Sequence, residues 1–261
     1  KCFNGNSQEE VFELSDMLKN ILKKILSNLG FEISRKNEIN TVFQIDPLFN
    51  DLYENAQRET QMKHTDNALR RQRHYTLNYL LRNADLGSGD VCEVGCWRGL
   101  SAYQVASYLQ SSDKNILFHI FDSFEGLSEI MEIDRYKHDN RDVESVRKQF
   151  ACALNIVKDN LKEFKFIRYY KGWIPGRFNE VEGLKFSFVH IDVDLYQPIR
   201  DSFEFFYPRL APKGIMVFDD YGCIQFPGAK KAVDECISNV KNIFFLPLPS
   251  GQAFLIKDFY E

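Results

Sequence analysis

The chain has 261 residues, 44% hydrophobic, 27% charged and 14% aromatic, enough to bury a full core without covalent staples. A formal charge of −4 leaves no basic surplus for a phosphate backbone or an anionic bilayer, so neither nucleic acid nor membrane is an expected partner. Six cysteines without a C-x-x-C pair read as reduced thiols, and with no charged-then-apolar leader the expected setting is cytoplasmic.

Val11, Leu14, Leu18, Ile21, Leu22 and Ile25 recur at helical spacing and predict a helix over residues 8–28, ending at Gly30. After an irregular stretch at Asp46-Pro47, helices are predicted over 51–61 and 66–83, the second stopped by Gly87-Ser88-Gly89. Residues 1–62 read as a helical N-terminal cap and residues 63–261 as the main domain. From residue 90, predicted strands (90–94, 115–121, 164–169, 185–191, 214–218) alternate with predicted helices (99–110, 142–161, 199–207, 229–239). This alternation predicts an α/β fold with a doubly wound, mostly parallel sheet. The last two strands, 242–246 and 253–257, have a connection too short for a crossover helix, so they form an antiparallel C-terminal hairpin.

The first chemical motif, Glu93-Val94-Gly95-Cys96-Trp97-Arg98-Gly99-Leu100-Ser101, sets an acidic residue and two glycines at a strand-to-helix turn. Ligands of open α/β sheets gather at the carboxyl ends of strands near such turns. Gly95 permits a tight turn and Gly99 a close approach to the helix start. Ser101, in the first helical turn, can donate to a carboxylate where the helix dipole also favours an anion. The spacing E-x-G-x-x-x-G is not the dinucleotide fingerprint, and Glu93 would repel a pyrophosphate. A carboxylate suits a cationic amino group, such as that of the methionine part of S-adenosylmethionine. An ordinary glycine turn is the alternative. Asp122 ends the second strand, where an acidic residue commonly holds a ribose diol or caps a helix.

The second motif places three carboxylates at two strand ends. His190-Ile191-Asp192-Val193-Asp194 closes one strand and Phe218-Asp219-Asp220-Tyr221-Gly222 the next, with Asp192 and Asp219 separated by 27 residues, one strand–helix–strand repeat. Parallel neighbours bring these ends to one edge, and such oxygen ligands suit Mg²⁺. Helix caps or solvated loop charges are the bland alternative. Asp192-x-Asp194 also matches the metal-binding pair of nucleotide-sugar glycosyltransferases, a rival reading that leaves Glu93-x-Gly95 unexplained.

With both motifs in place, the chain resembles the macrocin O-methyltransferase (TylF-type) family of class I S-adenosylmethionine-dependent methyltransferases. The matching stretches are Glu93–Gly99, Phe121-Asp122-Ser123-Phe124-Glu125-Gly126-Leu127, Lys171-Gly172-Trp173, Ile191–Tyr196 and Asp219-Asp220-Tyr221-Gly222, spread over residues 65–240. The resemblance implies a Rossmann-like sheet of seven strands and methyl transfer from S-adenosylmethionine to a hydroxyl. The expected acceptor is a sugar-bearing natural product or surface glycan, with Mg²⁺ held by Asp192, Asp219 and Asp220. Asp192 is then the candidate base. On the cofactor side the expected residues are Glu93, Gly95, Trp97, Gly99, Ser101, Asp122, Ser123 and Asp192, with Gly172 and Trp173 beside the adenine; plain core is the alternative for Trp173. A relative that binds cofactor but has lost catalysis is a further alternative.

Residues 128–142 are polar and charge-rich, and read either as a closing lid or as a solvated loop. His138 within them is a candidate for assisting proton transfer, whereas His119 and His190 read as satisfied core histidines. Phe203, Phe205, Phe206 and Tyr207 read as core and interface, and a homo-oligomer is expected.

Overall fold

Short apolar runs separated by helical segments can hide both faces of each strand in a parallel sheet wrapped by helices. The computed structural model describes residues 42–112, 115–136 and 141–260. The helix predicted over 8–28, most of the predicted cap and His138 lie outside the described residues. The chain divides into two units, Lys1–Ile45 and Asp46–Glu261. The described part of the first is one helical turn, Val42–Ile45. The second carries the sheet.

Strands β1 (Asp90–Val94), β2 (Phe118–Asp122), β3 (Ile167–Lys171), β4 (Phe186–Ile191), β5 (Leu210–Phe218), β6 (Phe244–Pro247) and β7 (Ala253–Ile256) form one sheet in the order β3-β2-β1-β4-β5-β7-β6. The first five are parallel, β7 runs antiparallel to β5, and β6 antiparallel to β7. The expected doubly wound sheet with its antiparallel hairpin is therefore present. Central β4 is buried at every residue. Below it the rings of Phe121, Phe178, Phe186 and Phe206 meet edge to face, with Phe121–Phe178 at 5.2 Å and Phe186–Phe206 at 5.1 Å.

Around the sheet lie α1 (Pro47–Glu59), α2 (Ala68–Arg82), α3 (Leu100–Ser111), α4 (Val143–Lys148), α5 (Leu154–Asn160), α6 (Tyr196–Phe206) and α7 (Gly228–Ile237). Helix α1 begins earlier than the apolar pattern suggests because Asp46 caps it, accepting from the Phe49 amide at 3.0 Å, and Pro47 fits its first position. It buries Phe49, Tyr53 and Ala56 and packs against α2 and α3. Between α2 and α3, Asn78 donates to Gln104 at 2.8 Å.

One predicted helix is broken. The segment 142–161 folds as α4 and α5 because the Arg147 carbonyl accepts from the Leu127 amide (2.9 Å), while the Ala151 amide turns back to Lys148 (2.9 Å). The third strand also starts later than predicted: the Phe164 amide closes a turn onto Leu161, and the Phe164 ring packs edge-on against Tyr103 at 5.2 Å.

Register aligns the site. Val94 lies opposite both Phe121 and Ile191, and Ile191 opposite Phe218. One more rung continues from each: the amides of Gly95, Asp192 and Asp219 donate to Phe121, Val94 and Ile191 at 2.8, 2.8 and 2.9 Å. Gly95, Asp122, Asp192 and Asp219 thus emerge side by side at the carboxyl edge, flanking the β1/β4 boundary where strand order reverses.

His74 on α2 packs against the Tyr53 ring (5.3 Å) and its Nδ1 meets Gln104 Nε2 at 3.0 Å. Desolvation pushes its pKa down from 6.5 to about 3. The unfolded chain takes up this proton first, so stability is full above about 6.5 and is lost as pH falls from there towards 3. His74→Gln removes the linkage. Its unfolding free energy should fall less steeply than the parent's over that window, by up to about 1.4 kcal/mol per pH unit. Denaturant melts at several pH values measure this, and parallel curves would refute it.

Candidate active site

The glycine loop is held by two backbone constraints. Gly95 has φ of 84°, and a Cβ there would lie 1.8 Å from the Asp192 carbonyl oxygen, so the ends of β1 and β4 pass too closely for any side chain. Asp122 then fastens the loop: its Oδ2 accepts from the amides of Cys96 (2.8 Å) and Trp97 (3.2 Å), and its Oδ1 from Phe124 (2.6 Å). Ser123 closes the next turn, donating to the Gly126 carbonyl at 2.9 Å and accepting from the Glu125 amide at 3.0 Å. The Trp97 ring meets Phe150 edge-on at 5.5 Å, and the Arg70 guanidinium lies 5.9 Å from its centre.

A cavity of about 380 Å³ opens on this loop. Of the residues expected on the cofactor side, Gly95, Trp97, Ser101, Asp122, Ser123, Gly172, Trp173 and Asp192 line it. The other two, Glu93 and Gly99, are not among its lining residues. Glu93 is fully buried and opposes His190 in the β1/β4 register, its Oε1 lying 2.9 Å from His190 Nδ1. Gly99 is buried, and the space its missing Cβ leaves faces the Leu161 side chain at 3.3 Å. Trp173 is 43% exposed on the cavity rim, which sets aside the core alternative.

The carboxylates gather opposite the loop. Asp192, Asp194, Asp219 and Asp220 all line the cavity. Arg73 of α2 reaches them through Nη2, which pairs with the Asp219 carboxylate and donates to the Asp219 carbonyl (2.7 Å) and to Asp220 Oδ1 (3.1 Å). Gln252, the residue before β7, donates to Asp219 Oδ1 at 2.6 Å, and His190 Nε2 approaches the same oxygen at 3.4 Å. Asp220 Oδ2 accepts from the Asp194 amide at 3.1 Å. Ligand atoms of His190, Asp192 and Asp219 lie within 4.8 Å of one another.

These contacts sort the charges. Burial would raise Asp219, but the neighbouring Arg73 and the His190 contact outweigh it and hold its carboxyl well below the usual range. Burial and then the charges of Asp219 and Asp220 push Asp192 far up; Asp194 rises through burial and Asp220, and Asp220 through burial despite Arg73. His190 is raised although burial opposes it, because carboxylates touch both its ring nitrogens. It is a satisfied histidine, as the strand pattern suggested, and also part of the cavity wall. His119 is satisfied too, between Asp90 (3.0 Å) and the Tyr170 hydroxyl (2.9 Å).

Asp134 departs from the solvated-loop reading of its segment. It is 1% exposed, accepts from the Tyr196 amide at the start of α6 (2.8 Å), and sits where a side chain at position 228 would stand. Its charge-rich neighbours concealed a helix-capping residue. Arg73 and Gln252 escaped the sequence reading altogether; α2 was legible only through its apolar positions, and neither residue belongs to a motif.

A mostly parallel seven-stranded sheet with a reversed β7, and a glycine loop facing carboxylates at its switch point, defines a Rossmann-like methyltransferase fold. Solved structures share it: the O-methyltransferase NovP matches with a TM-score of 0.57 at 21% identity, covering 71% of this chain and 79% of that one. CalS11, a calicheamicin methyltransferase, matches with a TM-score of 0.60 at 18% identity, covering 85% and 99%. The chain belongs to the Macrocin-O-methyltransferase (TylF) family, whose model matches residues 71–243. Membership places it among O-methyltransferases. One relative is 8-demethyl-8-(2,3-dimethoxy-alpha-L-rhamnosyl)-tetracenomycin-C 4'-O-methyltransferase of Streptomyces olivaceus, 28% identical over 224 residues, covering 79% of this chain and 80% of the relative. Mycinamicin III 3''-O-methyltransferase of Micromonospora griseorubida is 27% identical over 154 residues, 56% of this chain and 59% of that protein. Among the described residues, no helix is long and apolar enough to cross a membrane.

Gly95→Ala forces a Cβ into the Asp192 carbonyl and a left-handed backbone onto alanine. It should lower stability by more than about 2 kcal/mol, read as a fall in Tm. An unchanged Tm would mean that the β1 and β4 ends do not pass this closely.

Proposed function

We propose that the protein transfers a methyl group from S-adenosylmethionine to a hydroxyl oxygen of a sugar-bearing small molecule, a natural product or surface glycan, with Mg²⁺ held by Asp192, Asp219 and Asp220. The observation that carries this reading is one cavity in which the Gly95–Trp97 loop faces those carboxylates. The relatives support the acceptor class: the tetracenomycin enzyme methylates a 4′ oxygen, and CalS11 is a TDP-rhamnose 3′-O-methyltransferase.

The residues fit both groups. Four carboxylates, Asp192, Asp194, Asp219 and Asp220, line the cavity against two basic side chains, Arg73 and His190, so the site offers more oxygen donors than it has cationic partners for. Oxygen donors with surplus charge suit a hard divalent cation. The rim indole of Trp173 is exposed and available to lie against a flat heterocycle, and Ser101 stands in the first turn of α3. The bound groups supply an electrophilic methyl carbon and a Lewis acid that lowers the hydroxyl pKa.

The chain's own residues do the rest. Asp192 takes the hydroxyl proton on a carboxylate oxygen, from its place on the cavity wall at the end of β4. The loop fastened by Asp122 and the wall formed by α2 hold the two reactants at one orientation, which can contribute about 7–11 kcal/mol to lowering the barrier. Leu127, Phe150 and Phe226 line the cavity with apolar surface and limit water.

Calorimetric titration with S-adenosylmethionine should show saturable heat and a thermal shift; silence in both would overturn the enzyme reading. Asp192→Ala should keep cofactor binding while losing transfer by at least about 100-fold, together with its dependence on Mg²⁺. A fully active variant would remove Asp192 as base and ligand.

A further inference from the structure

Arg73 and the proposed divalent ion need the same oxygen atoms. On Asp219, Oδ1 already accepts from Gln252 and meets His190, leaving Oδ2, which Arg73 holds. On Asp220, Oδ2 already accepts from the Asp194 amide, leaving Oδ1, which Arg73 also holds. On both carboxylates, the oxygen not committed to the sheet-end scaffold is the one that the guanidinium covers. Magnesium binds oxygen at about 2.0–2.1 Å with little tolerance in geometry, and the Arg73 guanidinium on those two oxygens puts a positive charge in the path of that approach.

Arg73 uses only one arm of its guanidinium on the carboxylates. Its contacts with the two carboxylates run through Nη2, its Nε is buried without a hydrogen-bond partner among the described residues, and its side chain is 28% exposed to the cavity. A fork built to stay would engage both arms. We infer that Arg73 is a built-in counter-cation of the Asp219–Asp220 pair, which a divalent ion must displace to bind. The inference rests on the metal reading above. Arg73 keeps the carboxylate cluster compensated when no metal is present, and its departure exchanges one positive charge for two.

The test is metal binding without methyl donor or acceptor, read by Mn²⁺ electron paramagnetic resonance and by Mg²⁺ calorimetry on the full chain. Arg73→Gln removes the competing cation and should bind either ion at least tenfold more tightly than the parent. Without metal its Tm should be lower than the parent's, and saturating Mg²⁺ should raise it further than it raises the parent's. Arg73→Lys keeps the charge but cannot span both carboxylates, and should fall between the two. If Arg73→Gln fails to fold, the lysine variant carries the test, with a gain of several-fold expected and parent-like affinity overturning the inference. A parent that binds metal and a glutamine variant that binds equally or more weakly would overturn displacement while leaving the metal reading intact. No binding by parent or variants would overturn both.

Discussion

Four carboxylates, Asp192, Asp194, Asp219 and Asp220, meet at the carboxyl ends of β4 and β5, where like charges drawn out of water must be compensated or protonated. Compensation comes from three separate parts of the chain: Arg73 from α2, His190 from within β4 and Gln252 from the approach to β7. Each contact ties its element to the same edge of the sheet. Removing Arg73 or His190 would leave carboxylates that must then be compensated by taking up protons. The cluster is a cost to stability that the surrounding elements are arranged to offset.

The glycine loop belongs to the same economy of space. Gly95 lets β1 and β4 end within van der Waals reach, and Asp122 pulls the loop against the end of β2 through two amide contacts. Glu93 sits one layer behind, where it holds His190, which in turn leans on Asp219. The acidic residue of the glycine motif thus supports the carboxylate cluster from within the sheet. Its Oε1 meets His190, which lines the cavity, so a buried imidazole links the two motifs.

Parts of this architecture were legible because they are encoded by near neighbours in the chain. Alternating strand and helix patterns from Asp90 onward, the short connection before β7 and the two strand-end motifs specify the sheet, its hairpin and the edge where the site forms. The pairing of Asp192 with Asp219 followed from one repeat of a parallel sheet. Where tertiary contacts competed, local pattern failed. The apolar rhythm of 142–161 predicted one helix, but the Leu127 amide took a carbonyl that its continuation needed. Asp134 looked like one more solvated charge until α6 supplied an amide for it to cap.

Backbone periodicity and turn chemistry act within a few residues, so composition and order along the chain decide which elements form and which motifs sit at strand ends. The charge balance of the site is of another kind. Glu93 meets His190 across 97 residues, and Arg73 meets Asp219 across 146. Such encounters depend on strand order and on the face that α2 turns to the sheet, which no spacing records. The carboxylates could be read from the chain; the arginine that neutralises them emerged only from the folded packing, because electrostatic compensation is a property of three-dimensional distance.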